Sequence, residues 1–500
     1  MLDNHDLLSR IAMNARPETR LFMIAVARAL HHRYGSEIIL YTGTAQEAEF
    51  YAKNGKGVFK AIVQAPKVQT AAMESTLTEA EEVARALVWE KKFGQTYNSL
   101  SVANRHLGRG YALGGYHHPR SRMSNQASYS NLVHAYNRVL EFWDREFREN
   151  DFTLVMNGSR EMAVVARHYS LPFRVIAGSR FMNYYNWAWN EFYENPQFEA
   201  AYRVSATAKE IEFDQPYHAH LVNRERFVRN VSLWKTMVSI AHQIARYMWW
   251  NFRGYQKAKG YYLTENIAMI MRVWSDWRRL RQIANVTLSD LKGQKFVYYP
   301  LHQEPETALQ GLSPEYFYQL SSIAAVARDL PAGVKLAVKE TFGAVGRRPR
   351  NFYEQIAEFK NVVMLAPLEY GLDCVRQADV TITITGTAGF EAAVLGKPVI
   401  TFGRHNNYNF LPHVHVVTEE SMLPSYLQKC LSGGVDAVSS RSDGARFLQA
   451  VVESSFDLRG YDFIKVEQFD PQAVEEAVTA LARSIRDIAT KSSSKLAVSG

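Results

Sequence analysis

Within Ala378–Gly403, ADVTITITGTAGFEAAVLGKPVITFG, the run Thr385, Gly386, Thr387, Ala388, Gly389 joins two hydroxyls to small residues that let a ligand approach the backbone. A helix starting there aims its free N–H groups and the positive end of its dipole at an anion, so phosphate is the expected guest. Glu391, one turn on, offers a carboxylate that can accept from ribose hydroxyls. Its other reading is a plain helix-surface carboxylate.

Further candidates follow from a rule of parallel sheets, whose ligands bind beyond the carboxyl ends of the strands. Strand Lys295–Tyr299 runs into His302, Gln303 and Glu304; strand Val334–Val338 runs into Lys339 and Glu340. The basic loop Arg347, Arg348, Arg350 comes next, and Pro398–Phe402 ends in Arg404 and Tyr408. Lys339, charged directly after an apolar strand, suits a phosphate or carboxylate contact. His302 suits substrate contact or catalysis, against a satisfied strand-end histidine. The three arginines suit either an anion or a solvated loop. In the N-terminal half Asn157, Arg160, Glu161 and Arg180 hold equivalent strand-end positions, with Arg160 and Glu161 also readable as first-turn helix residues. HExxH and CxxC spacings are missing, and His31-His32 and His117-His118 are isolated pairs, so no metal is expected. The GTAG turn is neither GxGxxG nor a Walker loop, which argues against a P-loop NTPase and a nicotinamide enzyme.

These residues need strands and helices to hold them. In the second half, strands at 295–299, 334–338, 361–365, 379–385 and 398–402 alternate with helices at 313–328, 351–359, 368–377 and 390–395. Such alternation predicts a doubly wound parallel sheet. Earlier, helices are expected at 17–33, 45–51, 74–89 and 127–148, and strands at 37–41, 152–156 and 172–176, with no convincing strand before Pro17. Residues 108–126 read as a surface loop or an acceptor-facing one. Ser232–Ala284 is helical, aromatic and basic, divided at Gly254 and Gly260; it suits packing between domains, a membrane-surface patch or nucleic-acid contact. A last helix is expected over Gln472–Ala489, followed by a frayed tail.

Five hundred residues exceed one core. The expected division is 1–225, a helical connector 226–290, 291–465, and a terminal helix and tail 466–500. Net charge is +8, favouring anionic partners. Cys374 and Cys430 are too few for a disulfide framework, which with no signal peptide or apolar span predicts a cytoplasmic protein.

YYPLHQEPE (Tyr298–Glu306), LPAGVKLAVKE (Leu330–Glu340) and TITGTAGFEAAVLGKPVITFG (Thr383–Gly403) resemble the bacterial capsule and surface-polysaccharide biosynthesis family, a group that includes capsular Kdo transferases. The match is good over Lys295–Leu411; before it, only Asn157–Arg180 looks like the family's first domain. The resemblance implies an α/β protein of GT-B architecture, two Rossmann-like doubly wound domains facing a cleft with an additional helical region between them. It implies a glycosyltransferase moving sugar from a nucleotide-sugar donor to a growing surface polysaccharide or lipid-linked saccharide. The expected reaction is metal-independent and uses no cofactor beyond the nucleotide sugar as co-substrate. Lys339 would meet donor phosphate or a sugar-acid carboxylate, with Arg347, Arg350, Arg404 and Tyr408 also on the donor side. Thr385, Gly386, Thr387, Ala388 and Gly389 would hold phosphate, and Glu391 ribose. His302 and Glu304 would face the cleft with Lys339, and Asn157, Arg160, Glu161 and Arg180 would serve the acceptor. One departure is visible: the family often reads His-Pro after Lys-Glu, where this chain has Thr341-Phe342. That points to another donor, a basic-loop residue in the histidine's place, or reduced activity. Alternatives are a nucleotide-sugar 2-epimerase of the same fold and a non-catalytic scaffold of a polysaccharide complex. A peripheral site on the inner membrane face is compatible with either, and nucleic acid is not expected as a partner.

Overall fold

Strand β1 (Arg10–Asn14) is the first departure from expectation, since it precedes Pro17 and occupies the middle of a sheet. Its five residues bury only Ile11, Ala12 and Met13 between polar ends, too short a pattern to stand out before its neighbours are known. The computed structural model describes residues 4–16, 19–74, 76–102, 104, 128–205, 213, 225–254, 263–303, 309, 311–316, 318–349, 351–459 and 469–498. Glu304, Arg350, Pro17, Gly260 and the 108–126 loop lie outside the described residues.

After β1 come α1 (Arg20–Tyr34), β2 (Glu37–Thr42), α2 (Ala45–Asn54), β3 (Ala61–Gln64), α3 (Glu79–Phe93) and α4 (Tyr129–Glu149). The chain continues through β4 (Leu154–Met156), α5 (Arg160–His168), β5 (Phe173–Gly178) and β6 (Tyr184–Ala188). Local chemistry sets many of the ends. Gly35 closes α1 in the left-handed conformation at φ 64°, and Thr78 with Glu81 forms a capping box on α3. Two helices follow, α6 (Leu233–Phe252) and α7 (Leu263–Ile283), then β7 (Phe296–Pro300), α8 (Leu320–Asp329), β8 (Lys335–Lys339) and β9 (Val362–Met364). Later elements include α9 (Gly371–Gln377), β10 (Val380–Thr383), α10 (Thr387–Val394), β11 (Val399–Thr401), β12 (Val414–Val416), β13 (Phe456–Asp457) and α11 (Pro471–Val498). Pro314 opens only a short 3-10 turn, with α8 starting at Leu320, so the expected single helix from Ser313 is broken. The terminal helix runs on to Val498 through the segment expected to fray.

The chain divides into two compact units. The first comprises Met1–Leu100, Ala127–Ser205 and Ala450–Gly500; its sheet order is β13-β6-β5-β4-β1-β2-β3. Five of these strands are parallel, while β6 runs antiparallel to β5 and β13 to β6. Helix α11 returns to this unit, where Ala473, Val474, Val478 and Leu481 join the core of Ile11, Phe22, Leu40 and Met156. The second unit holds Ala206–Gln449 with Ser101–Gln126, and its sheet β12-β11-β10-β7-β8-β9 is parallel throughout.

The boundaries therefore differ from those expected: 226–290 belongs to the second unit. Trp277 and Leu280 of α7 are buried in its core with Val231, and Phe227 stacks edge-on against Trp277 at 5.2 Å. Hydrophobic burial, which a linker lacks, fixes α7 in the unit.

Candidate functional site

In the second unit the first strand, β7, lies in the middle, with β8 and β9 to one side and β10 to β12 to the other. Connections leave β7 and β10 in opposite directions, opening a crevice beyond their carboxyl ends, the usual place for a ligand in such sheets. The segments that line it are 301–303 and 384–389.

His302 spans the two segments. It is 8% exposed, and its Nε2 accepts from the Thr385 backbone N–H at 3.0 Å and lies 3.3 Å from Thr383 Oγ1. A backbone N–H can only donate, so Nε2 is unprotonated and the ring proton resides on Nδ1. The one acceptor nitrogen of the neutral ring is thus used in positioning the turn. The backbone of His302 is held as firmly: its N–H donates to Gln319 Oε1 at 2.8 Å, and its carbonyl accepts from Gln319 Nε2 at 3.0 Å and Arg348 Nη2 at 2.7 Å.

The turn itself is partly self-satisfied. Gly386 N–H donates to Thr383 Oγ1 at 3.0 Å, and Gly389 N–H to the Gly386 carbonyl at 3.2 Å. The N–H groups that helix geometry leaves for a ligand are those of Thr387 and Ala388, the first residues of α10. Thr385 is buried while Thr387 is exposed, so the hydroxyl facing outward belongs to Thr387. The glycines are needed for space. A Cβ on Gly386 would meet Thr383 Oγ1 at 2.8 Å and His302 Nε2 at 3.1 Å; one on Gly389 would meet Tyr408 Oη at 2.3 Å.

At the end of β8, Lys339 is half-buried and pairs in register with Pro300 of β7. Its ammonium lies 5.8 Å from the Phe342 ring centre and within electrostatic reach of Cys374. Burial pushes the Cys374 thiol up to about 12, against the opposing pull of Lys339. On the other side Tyr298 is pushed well above its ordinary value by burial first, then by the neighbouring Cys374 and Glu391. Tyr370 is raised by burial and by the same Glu391. The charges of Lys339 and Glu391 are thus felt at the buried pair Cys374 and Tyr298, Lys339 from the end of β8 and Glu391 from the second turn of α10.

The basic loop divides. Arg348 is buried, forming two bonds to the buried Glu340 at 2.8 and 2.7 Å, so it is neither solvated nor open to an anion. Glu340 also accepts from Tyr353 Oη at 2.9 Å and from Thr341 N–H at 2.7 Å. Arg347 is half-buried beside it. Through the His302 carbonyl, this network ties the loop after β8 to the loop after β7.

Beyond β11, Arg404 is exposed, its Nη2 donates to the Thr418 carbonyl at 3.4 Å, and its charge acts on Tyr316. Tyr408 is buried, packed under Gly389. The bonds at this strand end run through Asn406, whose amide donates to the Ile384 carbonyl and Thr401 Oγ1, each at 2.9 Å. Tyr408 thus supports α10 from below, which departs from its expected donor contact. Asn406 and Thr383 carry no signal beyond being polar near a strand end, and Gln319, at the N-cap of α8, carries none.

The first unit repeats the arrangement at the ends of β1 and β4. Asn157 is fully buried at φ 53°, accepting from Ile176 N–H at 3.0 Å. Asn14, missed with its strand, donates to the Asn157 carbonyl at 3.2 Å. The Arg160 guanidinium carbon lies over the Phe192 ring, 5.3 Å from its centre, and burial lowers its pKa despite nearby Glu191 and Glu161. Glu161 is half-buried, and so is Arg180, at φ 61°. Asn157 is a framework residue here; Arg160, Glu161 and Arg180 remain near the strand ends.

Residues 194–411 match the family model described as capsule polysaccharide biosynthesis protein. Solved structures with similar folds include a β-Kdo 2,7 transferase, KpsC of Thermosulfurimonas dismutans, at 14% identity and TM-score 0.31, covering 66% of this chain and 84% of that one. HepE of Anabaena in complex with UDP-glucose is 13% identical with TM-score 0.32, covering 94% and 99%. A UDP-GlcNAc 2-epimerase of Neisseria meningitidis bound to UDP-GlcNAc is 9% identical with TM-score 0.25, covering 89% and 99%. No curated protein matches.

Proposed function

Starting from a chain whose residues 194–411 carry the capsule polysaccharide biosynthesis pattern, we propose that it is a glycosyltransferase of surface-polysaccharide synthesis, with a nucleotide-sugar donor in the second unit's crevice. One observation carries the reading: Lys339 ends β8 and α10, with Glu391 one turn in, follows β10, the two strands that flank β7 at the switch point of a parallel sheet, where each has a part of a nucleotide sugar to recognise. The Thr387 and Ala388 N–H groups and the Lys339 ammonium suit a diphosphate, and the Glu391 carboxylate suits ribose hydroxyls. In the transfer, negative charge grows on the departing phosphate as its bond to the sugar breaks. Fixed N–H dipoles and a nearby cation stabilise that charge more in the transition state than before it. His302 contributes by holding the turn, and Arg348 with Glu340 by holding His302. The acceptor is assigned to the first unit, with Arg160, Glu161 and Arg180 as its contacts.

The test is a thermal-shift titration of pure protein with CMP, UDP, GDP, CDP and their sugar conjugates, beside Lys339→Ala and Glu391→Ala. At a hundredfold excess over Kd a ligand adds about 2.7 kcal/mol. For a unit of this size that raises Tm by about 5–10 °C. One nucleotide should stabilise wild type and neither variant. Its sugar conjugate should then stay unchanged until a saccharide acceptor is added. Conversion of the sugar without acceptor would replace the transferase with an epimerase, and no stabilisation by any nucleotide would sink the reading.

A further inference from the structure

Helix α6 packs by one face, where Thr236 is buried and Ile240, Gln243, Arg246 and Trp250 are half-buried. Large apolar residues also cover the opposite face: Trp234 is 74% exposed, Phe252 83%, Met248 65% and Trp249 54%. At about 100° per residue, Leu233, Ile244, Met237, Met248, Trp234, Phe252, Val238 and Trp249 fall in one arc of about 160°, interrupted only by alanines and, at its margin, Asn251. Lys235, His242 and Arg253, all exposed, then fall together along one edge of that arc, at about 180–200°. No Asp or Glu occurs between Glu225 and Glu265.

An exposed apolar arc of this width is rare on a surface that faces only water. A one-sided arc bordered by cations and free of acids matches an anionic bilayer. The rings and methionines enter the acyl boundary while the long basic side chains reach back to lipid phosphates. At 20 residues the helix is long enough to span, yet no helix among the described residues is apolar enough to cross a membrane. We infer that α6 lies in the plane of an anionic membrane surface and docks the protein there through Trp234, Met248, Trp249 and Phe252. The inference stands on this helix alone, independent of what the crevice binds.

The test is flotation of the full chain with vesicles of neutral phosphatidylcholine and with vesicles containing about a third phosphatidylglycerol. Wild type should float with the anionic vesicles, at least about tenfold more strongly than with neutral ones, and detach as salt rises. Trp234→Glu/Trp249→Glu/Phe252→Glu should lose this binding by at least about tenfold. Because these side chains are exposed, the variant should keep its Tm and any nucleotide-induced shift, which separates lost docking from lost folding. Lys235→Glu/Arg253→Glu should weaken anionic binding alone. Wild type remaining unbound, or the triple variant floating as well as wild type, would overturn the inference. So would a concentration-dependent dimer in wild type that the triple variant abolishes, since a second copy would then be what covers the arc.

Discussion

Replacing Glu340 with leucine should be among the most damaging single changes in the second unit. Glu340 and Arg348 are each 1% exposed, and Glu340 accepts four bonds, two from Arg348, one from Tyr353 and one from Thr341. Removing the carboxylate leaves a guanidinium buried with the His302 carbonyl as its remaining acceptor among these partners. Breaking a buried pair from one side costs about 3–5 kcal/mol, far above the 0–1 kcal/mol of an exposed pair. In a unit of this size that lowers Tm by about 6–20 °C. The double variant Glu340→Leu/Arg348→Met removes both charges, and apolar replacements of buried pairs are often close to neutral. It should therefore recover much of the loss, short of what the stranded Tyr353 hydroxyl and Thr341 N–H retain. Thermal and urea unfolding of wild type, both single variants and the double variant give the coupling energy directly. A Glu340→Leu cost below about 1 kcal/mol, or a double variant as unstable as the single, would refute the buried network and return Arg348 to a solvated loop.

Two further outcomes follow from the same unit. Gly389→Ala gains about 1 kcal/mol of helix preference, but its methyl meets the buried Tyr408 Oη at 2.3 Å and Thr383 Cγ2 at 2.5 Å. Overpacking of about 1–3 kcal/mol should win, lowering Tm; Tyr408→Phe in the same chain should restore part of it, and no change in Tm would show that the helix shifts freely. His413 and His415 are both lowered from 6.5, chiefly by burial. The unfolded chain takes up protons below pH 6.5 that the folded rings refuse, so their contribution is complete above that pH and declines as pH falls below it. Tm should fall between about pH 7 and 5.5, and His415→Asn should flatten that slope; an identical slope would show that His415 titrates freely.

The sequence by itself determined the parallel α/β scheme of the second unit, because buried central strands are short apolar runs and each is followed by a helix pattern. It also placed the glycine turn ahead of a helix and Lys339 at the end of a strand, since small residues and a charge after an apolar strand are local signals. Tertiary structure decided the rest. The strand at Arg10–Asn14 is made by its neighbours on both sides, and a five-residue segment with three buried side chains has too little pattern to announce that. Arg347 and Arg348 are adjacent and chemically alike, yet Arg347 is half-buried while Arg348 is buried against the Glu340 carboxylate, a placement set by where Glu340 and Tyr353 bring their oxygens. His302 reads as a reactive or a satisfied strand-end histidine, and only the fold places the Thr385 N–H against its Nε2. The basic aromatic segment after Ser232 had one composition and several readings. Only packing shows that Trp277 enters the core while Trp234 and Phe252 face out, because burial is a property of what surrounds a side chain and not of the side chain alone.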